Sequence, residues 1–325
     1  MLFTPEKALE RINGELLLLD FGTNPAELYE PLHYIISLGG KRLRPMLALM
    51  AAKLYTDDYE KALKPALAIE VFHNFSLIHD DIMDQASVRR GKPTVHTKWN
   101  TPTAILSGDV ALVEAYKLMM QVDDKLKTKT FDLFSQTAKE VCEGQQIDML
   151  FEKRGTVNVE EYMEMIRLKT AVLVGFSLQI GALAGGASDN EALKLRSFGE
   201  DIGLAFQVKD DYLDAYGEAS KVGKAIGGDI VVNKKTYLYT KALEIADKKT
   251  ADELVNLYNS KSIDSAEKVG KVMTIYNQLN IAKETELVIE ELYNRAIKNL
   301  IGLSPGIFKT AKIKAFADNL MGREH

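Results

Sequence analysis

A single cysteine, Cys142, stands in 325 residues, which excludes an intrachain disulfide and any metal site built on paired cysteines. Cytoplasmic residence is the simplest reading of that scarcity, and Cys142 itself reads as a buried structural residue. Basic charge is also short: 41 Lys and Arg face 46 Asp and Glu, for a formal net charge of -5. A phosphate backbone would find no general basic surface, which argues against a nucleic-acid partner. Histidines number five, few for a multi-histidine centre. The amino-terminal MLFTPEKALERINGELLLLD shows neither the basic start nor the cleavage pattern of a secretory signal. Its apolar run, Leu16 to Leu19, is far too short to span a bilayer. The longer apolar stretch from Thr170 to Gly186 is interrupted by Ser177, Gln179 and glycines and sits mid-chain. It reads as a central core helix, so no membrane span is expected. Strand-like alternation, short-period repeats and Pro/Gly/Ser-rich linkers are missing as well.

What remains is helical. Apolar residues recur at helical spacing over 29–55, 65–84, 104–120, 130–151, 159–185, 191–216, 234–246, 265–276, 282–300 and 306–321. Asn158, and either Asp189 or Asn190, are expected as helix N-caps. The pattern predicts one all-α domain over residues 1–325. Two longer irregular stretches, 85–103 and 217–233, carry glycine and basic residues, and each follows an aspartate-rich helix end.

Those helix ends read HDDIMD and KDDYLD: Asp80, Asp81 and Asp84 form DDxxD, and Asp210, Asp211 and Asp214 repeat it. Residues four apart lie on one helix face, so Asp80 with Asp84, and Asp210 with Asp214, pair their carboxylates. Such pairs repel unless a cation lies between them or some are protonated. Hard oxygen donors in this arrangement suit magnesium, which takes a few carboxylates and completes its shell with water and phosphate oxygens. One such motif could be a solvated face; two, each on an otherwise apolar helix and each followed by a basic loop, point to a site.

The basic groups supply the other half. SLGGKRLRPML puts Gly39 and Gly40 beside Lys41 and Arg44, which are three apart and can hold one anion together. His73 precedes Asp80 by two helical turns and shares its face. Arg89 and Arg90 lie where a loop can fold back, and arginine forks match phosphate oxygens. Lys169 and Thr170 sit in an apolar helix, Gln207 one turn before the second motif, and Lys224 and Lys234 in the loop after it. Two acidic clusters and two basic groups above apolar residues (Val71, Phe72, Phe75, Leu77, Ile78) describe a place for two oily diphosphates.

The set GGKRLRP, LIHDDIMD, RRGKPT, LSGDVAL, EGQQIDM, LKTA, FQVKDDYLD and GKAIGGDI with NKKTY resembles, in order and spacing, the trans-type isoprenyl (polyprenyl) diphosphate synthases. The resemblance covers nearly the whole chain. It implies an all-α, single-domain isoprenoid synthase-type bundle with a central cavity, usually a homodimer. It implies magnesium at Asp80, Asp84 and Asp210, with Asp81, Asp211 and Asp214 in or beside the coordination shells. It assigns isopentenyl diphosphate to Lys41, Arg44, His73 and Arg90, and the allylic diphosphate to Arg89, Lys169, Thr170, Gln207, Lys224 and Lys234, with Lys235 as the neighbouring choice for the last. Thr170, the Lys169 carbonyl and Gln207 would stabilise an allylic cation, and the released diphosphate would take the proton. Phe75, five residues before Asp80, would floor the cavity without help from Ser76 and hold the product to fifteen or twenty carbons.

Two rivals share parts of this pattern. A terpene cyclase would keep the first DDxxD but not the second, nor a second diphosphate site. A metal-dependent helical phosphohydrolase would use a dyad such as His79-Asp80, with His33 and His73 nearby, and would have no need of Asp210, Asp211 and Asp214.

Overall fold

A computed structural model describes residues 4–217, 227–260 and 262–322. In chain order it contains α1 (Pro5–Leu17), α2 (Ala26–Ser37), α3 (Leu43–Tyr55), α4 (Leu63–Met83), a hairpin of two-residue strands β1 (Val88–Arg89) and β2 (Lys92–Pro93), α5 (Val95–Lys98), α6 (Thr101–Met119) and α7 (Lys127–Lys153). Next come α8 (Val159–Ile166), a π-helical turn (Arg167–Ala171), α9 (Val172–Gly185) and α10 (Asp189–Tyr216). The remainder is α11 (Gly228–Val231), α12 (Tyr237–Ile245), α13 (Lys248–Asn259), α14 (Ser265–Gln278), α15 (Ile281–Leu300) and α16 (Ile307–Leu320). The fold is all-α.

The helices group into two compact units. One holds the chain up to Thr137 with Leu173–Arg196 and Leu303–Ile313; the other holds Ala138–Val172, Ser197–Gly302 and the chain from Lys314 onward. In the first, α4 packs along α6 and against α3, and α2 also lies on α6. Ala66, Leu67, Ala68, Ile69, Val71 and Phe72 are all sealed from solvent, which is what a helix apolar on every side requires. Phe72 meets Phe134 edge-on at 5.4 Å, and Phe134 lies 5.7 Å from Phe176, so an aromatic cluster links α4, α7 and α9. In the second unit α12 packs against α8 and α15, and α14 against α11, α13 and α15.

Several expectations change on contact with the structure. The helix expected over 29–55 is two, parted at Leu38–Arg42. Gly39 (φ 74°), Gly40 (φ 146°) and Arg42 (φ 48°) take up left-handed backbone that ends one helix and re-aims the next. The segment Val159–Gly185 is long and apolar enough to cross a membrane by composition, but 72% of its most apolar window is buried inside the protein, and the π turn interrupts it. Asn158 caps α8 with a full capping box, its side chain accepting from Glu161 N–H while Glu161 accepts from Asn158 N–H. At α10 the capping role falls to Ser188, one residue before the expected Asp189 or Asn190: its Oγ accepts from Glu191 N–H at 3.4 Å. Helix α13 was not expected; Asp247 caps it through Thr250 N–H, and it buries Leu254, Leu257 and Tyr258. Cys142 is exposed on α7, against the expectation of burial.

Candidate functional site

The break between α2 and α3 builds the first half of the site. Lys41, Arg44, His73 and Arg90, four residues from three separate stretches, line one cavity of about 500 Å³ together with Gly40, Arg42 and Glu70. Arg44 Nη1 lies 3.3 Å from His73 Nε2, and Arg44 Nε is buried with no hydrogen-bond partner among the described residues. The negative charge at this cavity, Glu70, is engaged by Arg42: the pair is 2.5 Å apart with side chains 2% and 3% exposed. Arg42 also donates to the Ile36 carbonyl and to Asn13, so it fastens the α2–α3 break. Burial, reinforced by the surrounding guanidinium groups of Arg44, Arg90, Arg89 and Arg42, holds His73 well below the usual histidine range. Burial lowers Arg44 and Arg90 as well. A pocket that depresses His73, Arg44 and Arg90 is one that an anion would stabilise.

The hairpin explains how adjacent arginines serve different places. Arg90 (φ 53°) and Gly91 (φ 72°) form a two-residue turn of the kind that suits a right-twisted hairpin. Arg90 donates to the Gly39 carbonyl beside the cavity, while Arg89, on β1, turns toward the end of α4. Its Nε lies 2.9 Å from both oxygens of Asp81, its Nη2 2.7 Å from Asp81 Oδ1 and 3.9 Å from Asp80 Oδ2. Asp81 is 1% exposed. Asp80 is half-buried, and Asp84, which ends α4, is exposed. Phe75 is buried, its ring 5.5 Å from Phe72 and 4.8 Å from His79, and Ser76 spends its hydroxyl on the His73 carbonyl.

The second half repeats the division of labour. Asp211 is 3% exposed, and its Oδ2 accepts from Tyr162 O–H and from Tyr237 N–H, the latter at 2.9 Å. Burial pushes its carboxyl up to about 6, opposed by Lys234 and by those two donors. Asp210 is exposed, and Asp214 accepts from Asp229 N–H at 2.9 Å. Lys234 stands 3.9 Å from Asp229; burial, which would lower it, is outweighed by Asp229, Asp211, Asp148 and Asp214, so its ammonium is held charged. Lys235 instead lies over the rings of Tyr239 and Tyr258, at 4.9 Å and 5.2 Å, and burial lowers it. Lys169 and Thr170 belong to the π turn, and Lys169 Nζ meets Asp148 Oδ2 at 2.6 Å. Gly144, one turn before Asp148, lets the turn pack onto α7: a Cβ there would sit 2.2 Å from Lys169 N. Gln207 is half-buried one turn before Asp210, and Lys224 lies outside the described residues.

Among the described residues no three metal-binding side chains converge as a closed cage. The accessible carboxylates, Asp80, Asp84 and Asp210, offer oxygen donors alone. Each motif, taken by itself, offers the oxygen donors that suit a hard divalent cation which leaves most of its shell to water and phosphate. Arg42, Glu70, Asp148, Gly144 and Tyr162 were not singled out as site residues from the sequence. Glu70, a lone carboxylate in the apolar run LAIEVFHNF, carried a readable signal, and Arg42, Gly144 and Asp148 lie within GGKRLRP and EGQQIDM; Tyr162 carried none.

A family model described as polyprenyl synthetase matches residues 25–279. The short chain isoprenyl diphosphate synthase of Methanothermobacter thermautotrophicus is 37% identical over 302 residues, covering 93% of this chain and 92% of that protein. A crystal structure of a geranylgeranyl pyrophosphate synthase superposes with a TM-score of 0.93 at 44% identity, covering both chains completely. A geranylgeranyl pyrophosphate synthase from Corynebacterium glutamicum, complexed with isoprenyl diphosphate and magnesium, has a TM-score of 0.81 at 26% identity, with 98% of each chain covered.

Proposed function

Since the chain belongs to the polyprenyl synthetase family, it is a prenyltransferase that condenses isopentenyl diphosphate with an allylic diphosphate, and we propose how its residues divide that work. The cavity of Lys41, Arg44, His73 and Arg90 takes the isopentenyl diphosphate. The observation that carries this assignment is the excess of positive charge there: Glu70 is paired with Arg42, and among the described residues Lys41, Arg44 and Arg90 form no ion pair of their own. Their density also favours two phosphate groups over a lone carboxylate.

Each aspartate motif would offer magnesium its accessible carboxylates for the allylic diphosphate, Asp80 and Asp84 on the first motif and Asp210 on the second. Bound magnesium supplies Lewis-acid neutralisation of charge on the leaving diphosphate. Asp81 and Asp211 turn inward and orient their neighbours. Lys169, Lys234 and Arg89 add fixed positive charge for the diphosphate, with Lys224 in the same role. Lys169 gives up its carboxylate partner, Asp148, in proportion as the diphosphate replaces it, while Arg89 keeps its hold on the buried Asp81. Thr170 and the Lys169 carbonyl, presented by the π turn, and Gln207 aim oxygen dipoles at positive charge developing on the allylic carbon. Phe75 blocks the growing chain, which stops at twenty carbons. The chain acts in the cytoplasm as a homodimer; Leu106 and Val113, 57% and 58% exposed on one side of α6, support a self-association face.

The test is incubation with magnesium, isopentenyl diphosphate and, in parallel, dimethylallyl, geranyl or farnesyl diphosphate, with products resolved by chain length. A ladder ending at twenty carbons is expected. Diphosphate release without an elongated product would overturn the reading in favour of a cyclase or hydrolase.

A further inference from the structure

Tyr162 has no part in the assignments above, yet it is among the largest fully buried side chains, at 1% exposure. It sits on the inward face of α8 with Met165 and Ile166, and the capping box at Asn158 fixes where that short helix begins. Its hydroxyl donates to Asp211 Oδ2, and Tyr237 N–H, at the first residue of α12, donates to the same oxygen at 2.9 Å. Three elements, α8, α10 and α12, therefore meet on one carboxylate oxygen. Asp211 has the exposed Asp210 beside it, and Asp214 follows within a turn. Five residues beyond Tyr162, α8 runs directly into the π turn that carries Lys169 and Thr170.

We propose that Tyr162 is a positioning residue, which fixes the rotation of α10 through Asp211 and so holds Asp210 and Asp214 in register with Lys169 and Thr170. A helix packed only by apolar contacts can turn by several degrees at little cost, because such contacts are non-directional. A buried carboxylate with two directed donors cannot, since any rotation strips it of hydrogen bonds in a medium that does not replace them. The phenol is suited to this: its ring fills the space between α8 and α12, 6.5 Å from the Tyr237 ring, and its polar end reaches the carboxylate. This inference rests on the reading that the second aspartate motif serves the metal-bound allylic diphosphate.

Tyr162→Phe removes the donor and keeps the ring. Losing a hydrogen bond to a charged group corresponds to at least about a tenfold change in an equilibrium that depends on it. The magnesium concentration giving half-maximal rate is expected to rise about tenfold, and the KM for the allylic diphosphate with it, while the KM for isopentenyl diphosphate changes less than about twofold. Asp211→Asn, which keeps an oxygen able to accept from both donors, should shift the magnesium midpoint less than Tyr162→Phe does. Added to Tyr162→Phe, it should contribute little more. A fall in kcat alone, with the magnesium midpoint and allylic KM unmoved, would reduce Tyr162 to a structural residue and overturn the proposal. Asp210→Ala, measured alongside, separates the two levels. If that variant also leaves the magnesium midpoint unmoved, the assignment of the second motif to the metal has failed, and the inference falls with it.

Discussion

Gly144→Ala should cripple the enzyme although helix propensity favours it. Gly144 lies inside α7, where alanine is ordinarily about 1 kcal/mol better than glycine. The structure reverses that preference. A Cβ at 144 would stand 2.2 Å from Lys169 N and 2.7 Å from Leu168 C and Lys169 Cα, where ordinary contact begins at 3.4 Å. All three atoms are backbone, so no rotamer change relieves the clash, and the π turn must retreat by more than 1 Å. That turn carries Lys169 and Thr170, and a misplacement of about 1 Å in a reacting geometry costs on the order of a hundredfold in rate. Overpacking should lower stability by about 1–3 kcal/mol, more than the propensity gain returns. Steady-state kinetics with geranyl and isopentenyl diphosphates should show kcat down about a hundredfold. The KM for isopentenyl diphosphate should hardly move, because Lys41, Arg44, His73 and Arg90 belong to the other compact unit. Retention of kcat within about twofold, or a rise in melting temperature, would refute the argument.

Other perturbations test other parts of the molecule. Glu70→Ala strands the buried Arg42 charge and should cost about 3–5 kcal/mol in a denaturant titration, with weaker binding of isopentenyl diphosphate; an unchanged midpoint would mean the pair holds nothing together. Phe75→Ser should lengthen the dominant product beyond twenty carbons, as read by chromatography of the dephosphorylated alcohols, and an unchanged ladder would move the floor elsewhere. His73 yields a pH prediction. Its folded pKa is depressed, so the unfolded chain binds its proton first, and stability falls as pH drops below the ordinary value of 6.5. Besides burial, the groups that depress it are guanidinium cations, Arg44, Arg90, Arg89 and Arg42. His73→Asn should flatten that acid limb, and a limb equally steep in the variant would assign it to other groups.

The aspartate and basic residues were legible in the sequence because their spacing repeats helix geometry. Asp80 and Asp84 share a face by arithmetic alone, and Lys41, Arg44, His73 and Arg90 do line one cavity. The separation of Arg89 from Arg90 was legible only as an assignment borrowed from the resemblance; its cause, a two-residue hairpin turn at Arg90 and Gly91, depends on left-handed backbone at a non-glycine residue. The π turn was not legible at all. LKTA sits in an apolar run of unbroken helical periodicity, and one extra residue in a turn alters hydrogen bonding without altering composition. Gly144 reads as a mild helix defect until its neighbour across the packing is known.

The two DDxxD motifs raise the question of why the second letter should be aspartate at all. On a helix the first and last aspartates lie about 40° apart, whereas the second is turned about 100° from the first. If the outer pair faces the substrate, the second is carried toward the packed side, where a carboxylate is costly unless donors meet it. Both sites supply them, by different means: Arg89 grips Asp81 through both its oxygens, and Tyr162 with Tyr237 N–H holds Asp211. An apolar residue at either position would pack in a range of helix rotations; a buried carboxylate is satisfied in one. The second aspartate thus converts a helix that packs well into a helix whose outer carboxylates point one way. Identical letters in the motif therefore do different work, and it is the partners, distant in sequence, that tell them apart.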